Sequence, residues 1–145
     1  MRSFSYPVTL CPDATGRRFT VTFRDLPEAI TQGTRGKDAL AQAADCLDEA
    51  IANRIVLRLD IPAPSRPRKG QPVVPVPPLM AAKAALHVAM REAGISNVQL
   101  ARLVGCNEKE IRRMLDPRHG TRLPRLQEAV AALGKRLVLA VEEAA

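Results

Sequence analysis

Seven of the twelve prolines lie within residues 62–78, and this cluster restricts the possible folds more than any other feature of the chain. Proline lacks a backbone N–H donor and has a fixed φ, so the segment cannot form a helix or a central strand. We expect an extended, semi-rigid connector, with Val73 and Val74 placed to add a last strand at a sheet edge. The predicted organisation is therefore a domain at residues 1–61, a linker at 62–78 and a second domain at 79–145.

The residues before the prolines change from a two-residue period to a helical one. Apolar and polar side chains alternate at 4–10 and again at 19–23, which predicts a hairpin. Pro7 lies inside the first run and predicts an edge strand or a bulge there. A third extended piece follows at 29–32. The next helix has one apolar face, made of Leu40, Ala43, Ala44, Leu47, Ala50, Ile51 and Ile55. The pattern predicts a β-β-β-α unit whose helix covers the sheet.

The residues after the linker have the period and the end signals of four helices. Ser96 or Asn97 can cap the second helix, and Gly105 stops it. Asn107 can cap the third, and the fourth runs from about residue 123 to 133. Together with the strands before the linker, these helices predict an α+β fold with an all-α second domain.

The second and third of these helices have the spacing of a helix-turn-helix motif. Ala101 is small where the helices would cross, and Gly105 lies four residues later in the turn. Ile111 and Met114 are apolar at the positions that would seat the second helix. Plain helical packing gives the same spacing, so only the residues on the outward face can distinguish a DNA-binding motif from ordinary packing. That face is polar and basic, with Asn107, Glu108, Lys109, Arg112 and Arg113.

The positive charge of the chain is concentrated around this motif. There are 22 basic and 15 acidic residues, a net charge of +7, and residues 102–125 hold seven of the basic and three of the acidic ones. A solvated charged face is the common alternative, but a basic face on a helix-turn-helix is typical of major-groove DNA binding. Aromatic residues are only 3% of the chain, which disfavours a stacking reader of single-stranded RNA.

Side-chain chemistry suggests a role for each candidate DNA contact. Arg112 and Lys109 can bind guanine edges or phosphates, while Asn107 and Gln99 can bind adenine edges or phosphates. Glu108 can accept from N4 of cytosine, or merely favour the helix N-terminus through the dipole. The candidates for backbone contacts are Arg113, Arg118 and Arg122, and the charge is extended by His119 and Arg125.

The sequence predicts neither a metal site nor a cofactor nor catalysis. The three cysteines form no CxxC pair, and neither His87 nor His119 has ligand spacing to them. Two-metal nuclease chemistry needs converging carboxylates, and the predicted strands contain no Asp or Glu. We therefore expect a protein that is not an enzyme and that keeps its cysteines reduced. No apolar run approaches the ~20 residues of a spanning helix and no signal peptide is apparent, so we expect the cytoplasm and no membrane contact.

An ordered set of short segments resembles the HicB family of antitoxins, in the subgroup that has a C-terminal helix-turn-helix domain. In the first part of the chain these are Tyr6-Pro7-Val8, Phe19–Phe23, Asp25-Leu26-Pro27, Ile30–Gly33, Ala39-Leu40 and Ile61–Ser65. In the second part they are Leu100-Ala101, Gly105, Ile111–Leu115, Asp116-Pro117 and Ala132–Leu137. The chain departs from the usual family pattern at Arg24 and Glu28, where Pro and Gly are common, and at Arg35-Gly36-Lys37 before the helix.

The resemblance implies two binding activities. A partial RNase H-like N-terminal domain would bind and block a HicA-like, mRNA-cleaving toxin, and the C-terminal domain would bind double-stranded operator DNA of its own operon. A helix-turn-helix of this size needs two copies to read two half-sites, so we expect a homodimer or a higher homo-oligomer, with the β-prone tail at 136–141 as a pairing strand. The alternative is a stand-alone transcriptional regulator whose N-terminal domain senses a ligand or dimerises.

Overall fold

Antiparallel strands and one covering helix form the first part of the chain. The computed structural model of the protein describes residues 1–144. Its first elements are β1 (Ser5–Pro7), β2 (Thr9–Pro12), β3 (Phe19–Thr22), β4 (Ile30–Gly33), α1 (Gly36–Val56) and β5 (Val73–Pro75). Strands β2, β3 and β4 form a three-stranded antiparallel sheet, and β1 pairs antiparallel with β5. The predicted hairpin and the third extended piece are therefore confirmed.

The predicted first strand is split into two at Val8. Pro7 ends β1, which pairs with β5, and the chain then continues as β2, which pairs with β3. Between them, the Val8 N–H donates to the Pro72 carbonyl at 3.0 Å. Proline has no N–H to offer a ladder, so Pro7 lies where the chain exchanges one strand partner for another.

Helix α1 buries one stripe against the strands, but its rotation differs from the prediction at the first turn. Leu40 and Ala44 were expected to point inward and are only partly buried, whereas Ala39 is fully buried. The cause is the close approach of β4, because a Cβ added at Gly33 would lie 2.6 Å from Ala39 Cα. Backbone contact at Gly33 therefore sets which residue of the first turn faces the sheet. The buried stripe consists of Ala39, Ala43, Leu47, Ala50, Ile51 and Ile55.

The proline-rich segment is hydrogen-bonded to side chains of the strand region. The hydroxyl of Tyr6 donates to the Pro62 carbonyl at 2.7 Å, and Arg24 donates to the Ser65 hydroxyl and the Arg66 carbonyl. Burial raises the pKa of Tyr6 to about 12. With β5 added, the chain divides into compact units at Pro77, so residues 62–77 lie within the first unit. Extended prolines still carry carbonyl acceptors, which explains how such a segment is held.

The second unit begins at Pro78 and contains four helices, as predicted. They are α2 (Pro78–Ala93), α3 (Asn97–Val104), α4 (Glu108–Leu115) and α5 (Leu123–Ala132). Leu103, which the sequence placed among the apolar residues of α3, is 59% exposed. The α+β fold class is confirmed. The core is aliphatic and comprises Ala82, Leu86, Met90, Leu100, Ala101, Ile111, Met114, Leu126, Ala129 and Val130.

The segment 136–141, expected to pair as a strand with a second copy, forms no strand in the single chain. Residues 135–144 have no regular secondary structure; the Lys135 N–H donates to the Val130 carbonyl at 3.2 Å, and the Leu137 N–H donates to Gln127 Oε1 at 2.9 Å. A strand needs a partner for its backbone groups, and the described chain offers none at this position. Val138, Leu139 and Val141 are exposed. None of the helices within residues 1–144 combines the length and apolar character that crossing a lipid bilayer requires.

Candidate nucleic-acid interface

Helices α3 and α4 are joined by a three-residue turn and are capped in the same way. Ser96 Oγ accepts from the Gln99 N–H, while Gln99 Oε1 accepts from the Ser96 N–H at 2.7 Å. Asn107 Oδ1 accepts from the Glu110 N–H at 3.0 Å, while Glu110 Oε2 accepts from the Asn107 N–H. Gly105 ends α3 in the left-handed region, with φ +81°. The glycine stop and the second capping box thus fix the two helix ends that meet at the turn, and the first capping box fixes the start of α3.

The capping boxes change the expected role of two candidate DNA contacts. Gln99 and Asn107 are exposed, as a base contact requires, but the side-chain oxygen of each is engaged in its own cap. Bidentate recognition of adenine uses an amide oxygen and an amide nitrogen together. These residues therefore cannot make that contact while they hold the caps. The spacing of Ser96 to Gln99 and of Asn107 to Glu110 is the sequence signal for this role.

Packing orients α4 with its basic side outward. Ile111 is fully buried and Met114 is 1% exposed, and both pack into the core of the second unit with Leu100 and Ala101 of α3. Helical periodicity then directs the intervening positions away from the core. The exposed positions of α4 are Lys109, Arg112 and Arg113.

Four exposed cations lie on α4 and on the segment between α4 and α5. The side chains of Lys109, Arg113, Arg118 and Arg122 make no hydrogen bond or ion pair with any other part of the described chain. The backbone around Arg118 is nevertheless ordered, because its N–H donates to Asp116 Oδ1 at 2.9 Å. Long cations without partners are available to phosphates or base edges at little desolvation cost.

Two of the three remaining basic residues of the charged region, Arg112 and Arg125, are paired. Arg112 Nε lies 2.9 Å from Glu108 Oε2, one helical turn away, and the Arg112 side chain is 63% exposed. A surface pair of this kind is weak, so Arg112 can exchange it for another partner. Arg125 is bound to Glu128 and, at 3.3 Å, to Glu110. The hydrogen bond to Glu128, with that to Glu110, raises the pKa of Arg125. Arg125 thus links α4 to α5 and does not extend the open basic surface.

The residue that sequence reasoning missed is Lys83, on α2. It is fully buried, and its Nζ donates to the carbonyls of Arg113 and Met114, at 3.1 and 2.9 Å, and to Thr121 Oγ1 at 3.0 Å. Burial lowers the pKa of Lys83 to about 8, although the charge of Asp116 acts in the opposite direction. The signal in the sequence is a single charge within an otherwise apolar stretch, residues 80–90, interrupted only by Lys83 and His87.

The chemistry of the remaining polar groups adds no further site. Among residues 1–144 there is no group of three or more His, Cys, Asp or Glu side chains that could hold a metal ion. Cys11, Cys46 and Cys106 are free thiols, and burial raises the pKa of Cys46 and of Cys106. His119 Nδ1 lies 2.8 Å from Thr121 Oγ1 in the segment that carries Arg118.

The fold thus defines a two-unit protein, in which a strand and helix unit precedes a helical unit that carries an open basic surface. Residues 5–85 match a family described as the HicB_like antitoxin of bacterial toxin-antitoxin systems. The chain is 40% identical over 138 residues to Antitoxin HicB 2 of Photorhabdus laumondii subsp. laumondii, covering 95% of this chain and 96% of the relative. It is 37% identical over 134 residues to Antitoxin HicB of Escherichia coli K12, covering 92% and 96%.

These matches include both units of the chain. Antitoxin HicB 1 of the same Photorhabdus strain aligns over 142 residues at 34% identity, which is 98% of this chain and 90% of that protein. The chain belongs to the HicB-like family of antitoxins of bacterial toxin-antitoxin systems. The resemblance drawn from the sequence is confirmed.

Proposed function

We propose that the chain neutralises a cognate HicA-type, mRNA-cleaving toxin by direct binding through its first unit, and represses its own operon by binding operator DNA through a helix-turn-helix formed by α3 and α4. The DNA-binding part is supported by one observation above the others. The unpartnered cations Lys109, Arg113, Arg118 and Arg122 surround a short helix whose ends are fixed by caps and whose inner face is buried.

The dimensions of α4 suit a major groove. An α-helix with its side chains is about 10 to 12 Å across, which matches the approximate width of the major groove of B-form DNA. Lys109 and Arg113 are four residues apart and therefore share one face of the helix. In this arrangement Lys109 and Arg112 approach base edges, and Arg113, Arg118 and Arg122 approach the flanking phosphates.

The experiment for this part uses the duplex upstream of the chain's own reading frame, with a mixed-sequence duplex as reference. We expect Arg112→Ala to weaken binding and reduce the preference for the upstream duplex, since this arginine is the assigned base contact. We expect Arg122→Ala to weaken binding to both duplexes equally. Lys69→Ala, an exposed cation of the first unit, is the matched control for loss of charge. Unchanged affinity in both arginine variants would refute the assignment.

An exposed apolar segment at the end of α1 supports toxin binding by the first unit. Val56, Leu57 and Leu59 are 64%, 65% and 48% exposed, and contiguous exposed apolar side chains mark interaction surfaces. Asp45, Glu49 and Val56 recur at helical spacing, so the acidic part of α1 and this apolar end share one side of the helix. Such a surface suits a small basic protein with an apolar contact region.

The charges on α1 reinforce this choice of partner. Burial, together with the negative charges of Asp45 and Glu49, raises the pKa of Asp48. Asp48 Oδ1 is buried and has no hydrogen-bond partner within residues 1–144. A cationic side chain of a partner, placed beside Asp45 and Glu49, would relieve the repulsion among the three carboxylates.

Capture of the toxin tests the docking surface. The toxin would be the product of a neighbouring reading frame, a small basic protein with a catalytic histidine. We expect Leu57→Asp to abolish capture by the full chain, because it puts a charge into the apolar contact. Leu103→Asp, at a residue of the second unit that is 59% exposed and has no assigned contact, is the matched control. If no such neighbour exists and nothing of this class is captured, a stand-alone regulator becomes the better interpretation.

The C-terminal tail is the proposed pairing element of a homodimer. Val138, Leu139 and Val141 are exposed, apolar and β-prone, and an unpaired segment of this kind can form a strand with a second copy. We expect removal of residues 136–145 to leave a monomer with weaker DNA binding. A mass in solution that does not change on removal of the tail would rule out this role.

A further inference from the structure

The buried ammonium of Lys83 connects both ends of the segment that joins α4 to α5. Two of its acceptors, the carbonyls of Arg113 and Met114, belong to the last turn of α4. The third acceptor, Thr121 Oγ1, lies two residues before α5 and is itself buried. One side chain of α2 therefore holds together two points seven residues apart in sequence, with exposed residues between them.

The acceptors of Lys83 are also bonded to each other. The Thr121 hydroxyl donates to the Arg113 carbonyl at 3.2 Å and lies 2.8 Å from His119 Nδ1. Within the segment, the His119 N–H donates to the Asp116 carbonyl at 3.0 Å. The result is a closed loop whose two ends are fixed at one buried point and whose outer residues include Arg118.

We propose that Lys83 is a positioning residue for DNA recognition, which fixes the loop carrying Arg118 and the residue Arg122 relative to the cations of α4. This inference rests on the proposed DNA-binding function. Lys109 and Arg113 on α4, and Arg118 and Arg122 outside it, can contact one duplex together only if their spacing is constant. The hydrogen bonds of Lys83 keep this spacing constant, although its side chain does not reach the surface.

Lysine is suited to this position by its donors. Burying an ammonium carries a large desolvation cost, which is offset when its donors are all hydrogen-bonded. Lysine supplies three donors that radiate from one atom and a reach long enough to meet three acceptors. An apolar side chain would leave those acceptors without a donor, so the lysine fixes the geometry of the loop.

The test compares Lys83→Met with Lys135→Met in the full chain. Methionine keeps the length of the side chain but has no donor. Lys135 is half exposed, lies in the same unit, and pairs with Glu92 away from the loop, so its replacement removes the same charge. Affinity is measured for the upstream duplex and for a mixed-sequence duplex, and helicity and unfolding are followed by circular dichroism.

We expect Lys83→Met to fold with a lower midpoint of unfolding, because it leaves the carbonyls of Arg113 and Met114 and the Thr121 hydroxyl without their donor. Measured where both proteins are fully folded, it should bind the upstream duplex about tenfold more weakly and discriminate less between the two duplexes. Lys135→Met should stay within about twofold in both measures. Thr121→Val, which removes one acceptor and keeps the shape, should act in the same direction as Lys83→Met and tests the inference if that variant does not fold.

The outcomes separate the inference from the function on which it rests. If the unmodified chain fails to bind the upstream duplex, the proposed DNA-binding function is wrong, and the role of Lys83 in recognition falls with it. If the unmodified chain binds and both Lys83→Met and Thr121→Val bind and discriminate equally well, the positioning role alone is refuted. A loss of affinity that follows only the loss of folded protein would also refute it.

Discussion

Replacing Lys83 by methionine should change how the stability of the protein depends on pH. Burial lowers the pKa of this lysine from 10.5 to about 8, so between these values the unfolded chain binds a proton that the folded chain does not. Stability contributed by this group therefore rises with pH across that window. Integrating the linkage from pH 7 to pH 10 gives an increase of about 2 to 3 kcal/mol in the free energy of unfolding of the unmodified chain relative to Lys83→Met.

Urea denaturation at half-unit steps of pH, followed by circular dichroism, measures this difference. The two units can unfold in separate steps, and the step that moves between the variants is the one to compare. Titration of groups remote from this side chain is common to both proteins and cancels from the difference. A difference between the variants that stays constant from pH 7 to pH 10, or one that falls, would show that the lysine is not desolvated as described.

Three further predictions follow from individual contacts. Gly33→Ala should destabilise the first unit by about 1 to 3 kcal/mol, because its Cβ would meet Ala39 Cα at 2.6 Å, whereas Gly120→Ala has open space and should cost little in thermal unfolding. Asn107→Ala should lower the free energy of unfolding by about 1 kcal/mol, whereas Asn107→Asp should keep the cap. An equal loss of DNA affinity in both variants, measured where both are fully folded, would instead support a contact between Asn107 and adenine. The salt dependence of DNA binding should have a log-log slope of about −3 to −4 per chain if the four open cations each neutralise one phosphate, and a slope near zero would contradict that assignment.

Much of the fold follows from local patterns in the sequence. Alternation at residues 4–10 and 19–23 predicted a hairpin, and Pro7 predicted an interruption in its first strand. The ends of α3 and α4 were predicted at Gly105 and Asn107, because the conformational freedom of glycine and the acceptor of asparagine act within one turn of the helix. Interactions within one helical turn do not depend on the rest of the chain. The sequence alone is therefore enough to predict these helix ends.

The features that the sequence did not predict share the opposite property, since each depends on a tertiary contact that no local pattern specifies. Ala39, not Leu40, faces the sheet because of a backbone contact with Gly33. The proline-rich segment belongs to the first unit because Tyr6 and Arg24 donate to its backbone across more than forty residues. The proline content correctly excluded a helix there, but it gave no information about where Tyr6 and Arg24 lie relative to the segment.

The candidate site shows why counting charge near a motif is an incomplete guide to a binding surface. Seven basic residues lie within 102–125, and the count treats them as equal. In the structure, Arg125 is held by two carboxylates and Arg112 by one, so they differ from the four open cations in what a phosphate must displace. The buried Lys83, which lies outside the window, makes three hydrogen bonds to the loop and helix that carry those cations. Cations act as one binding surface only if they are free to bind and are held at fixed positions. Glu110, Glu128 and Lys83 therefore determine this surface as much as the arginines themselves do.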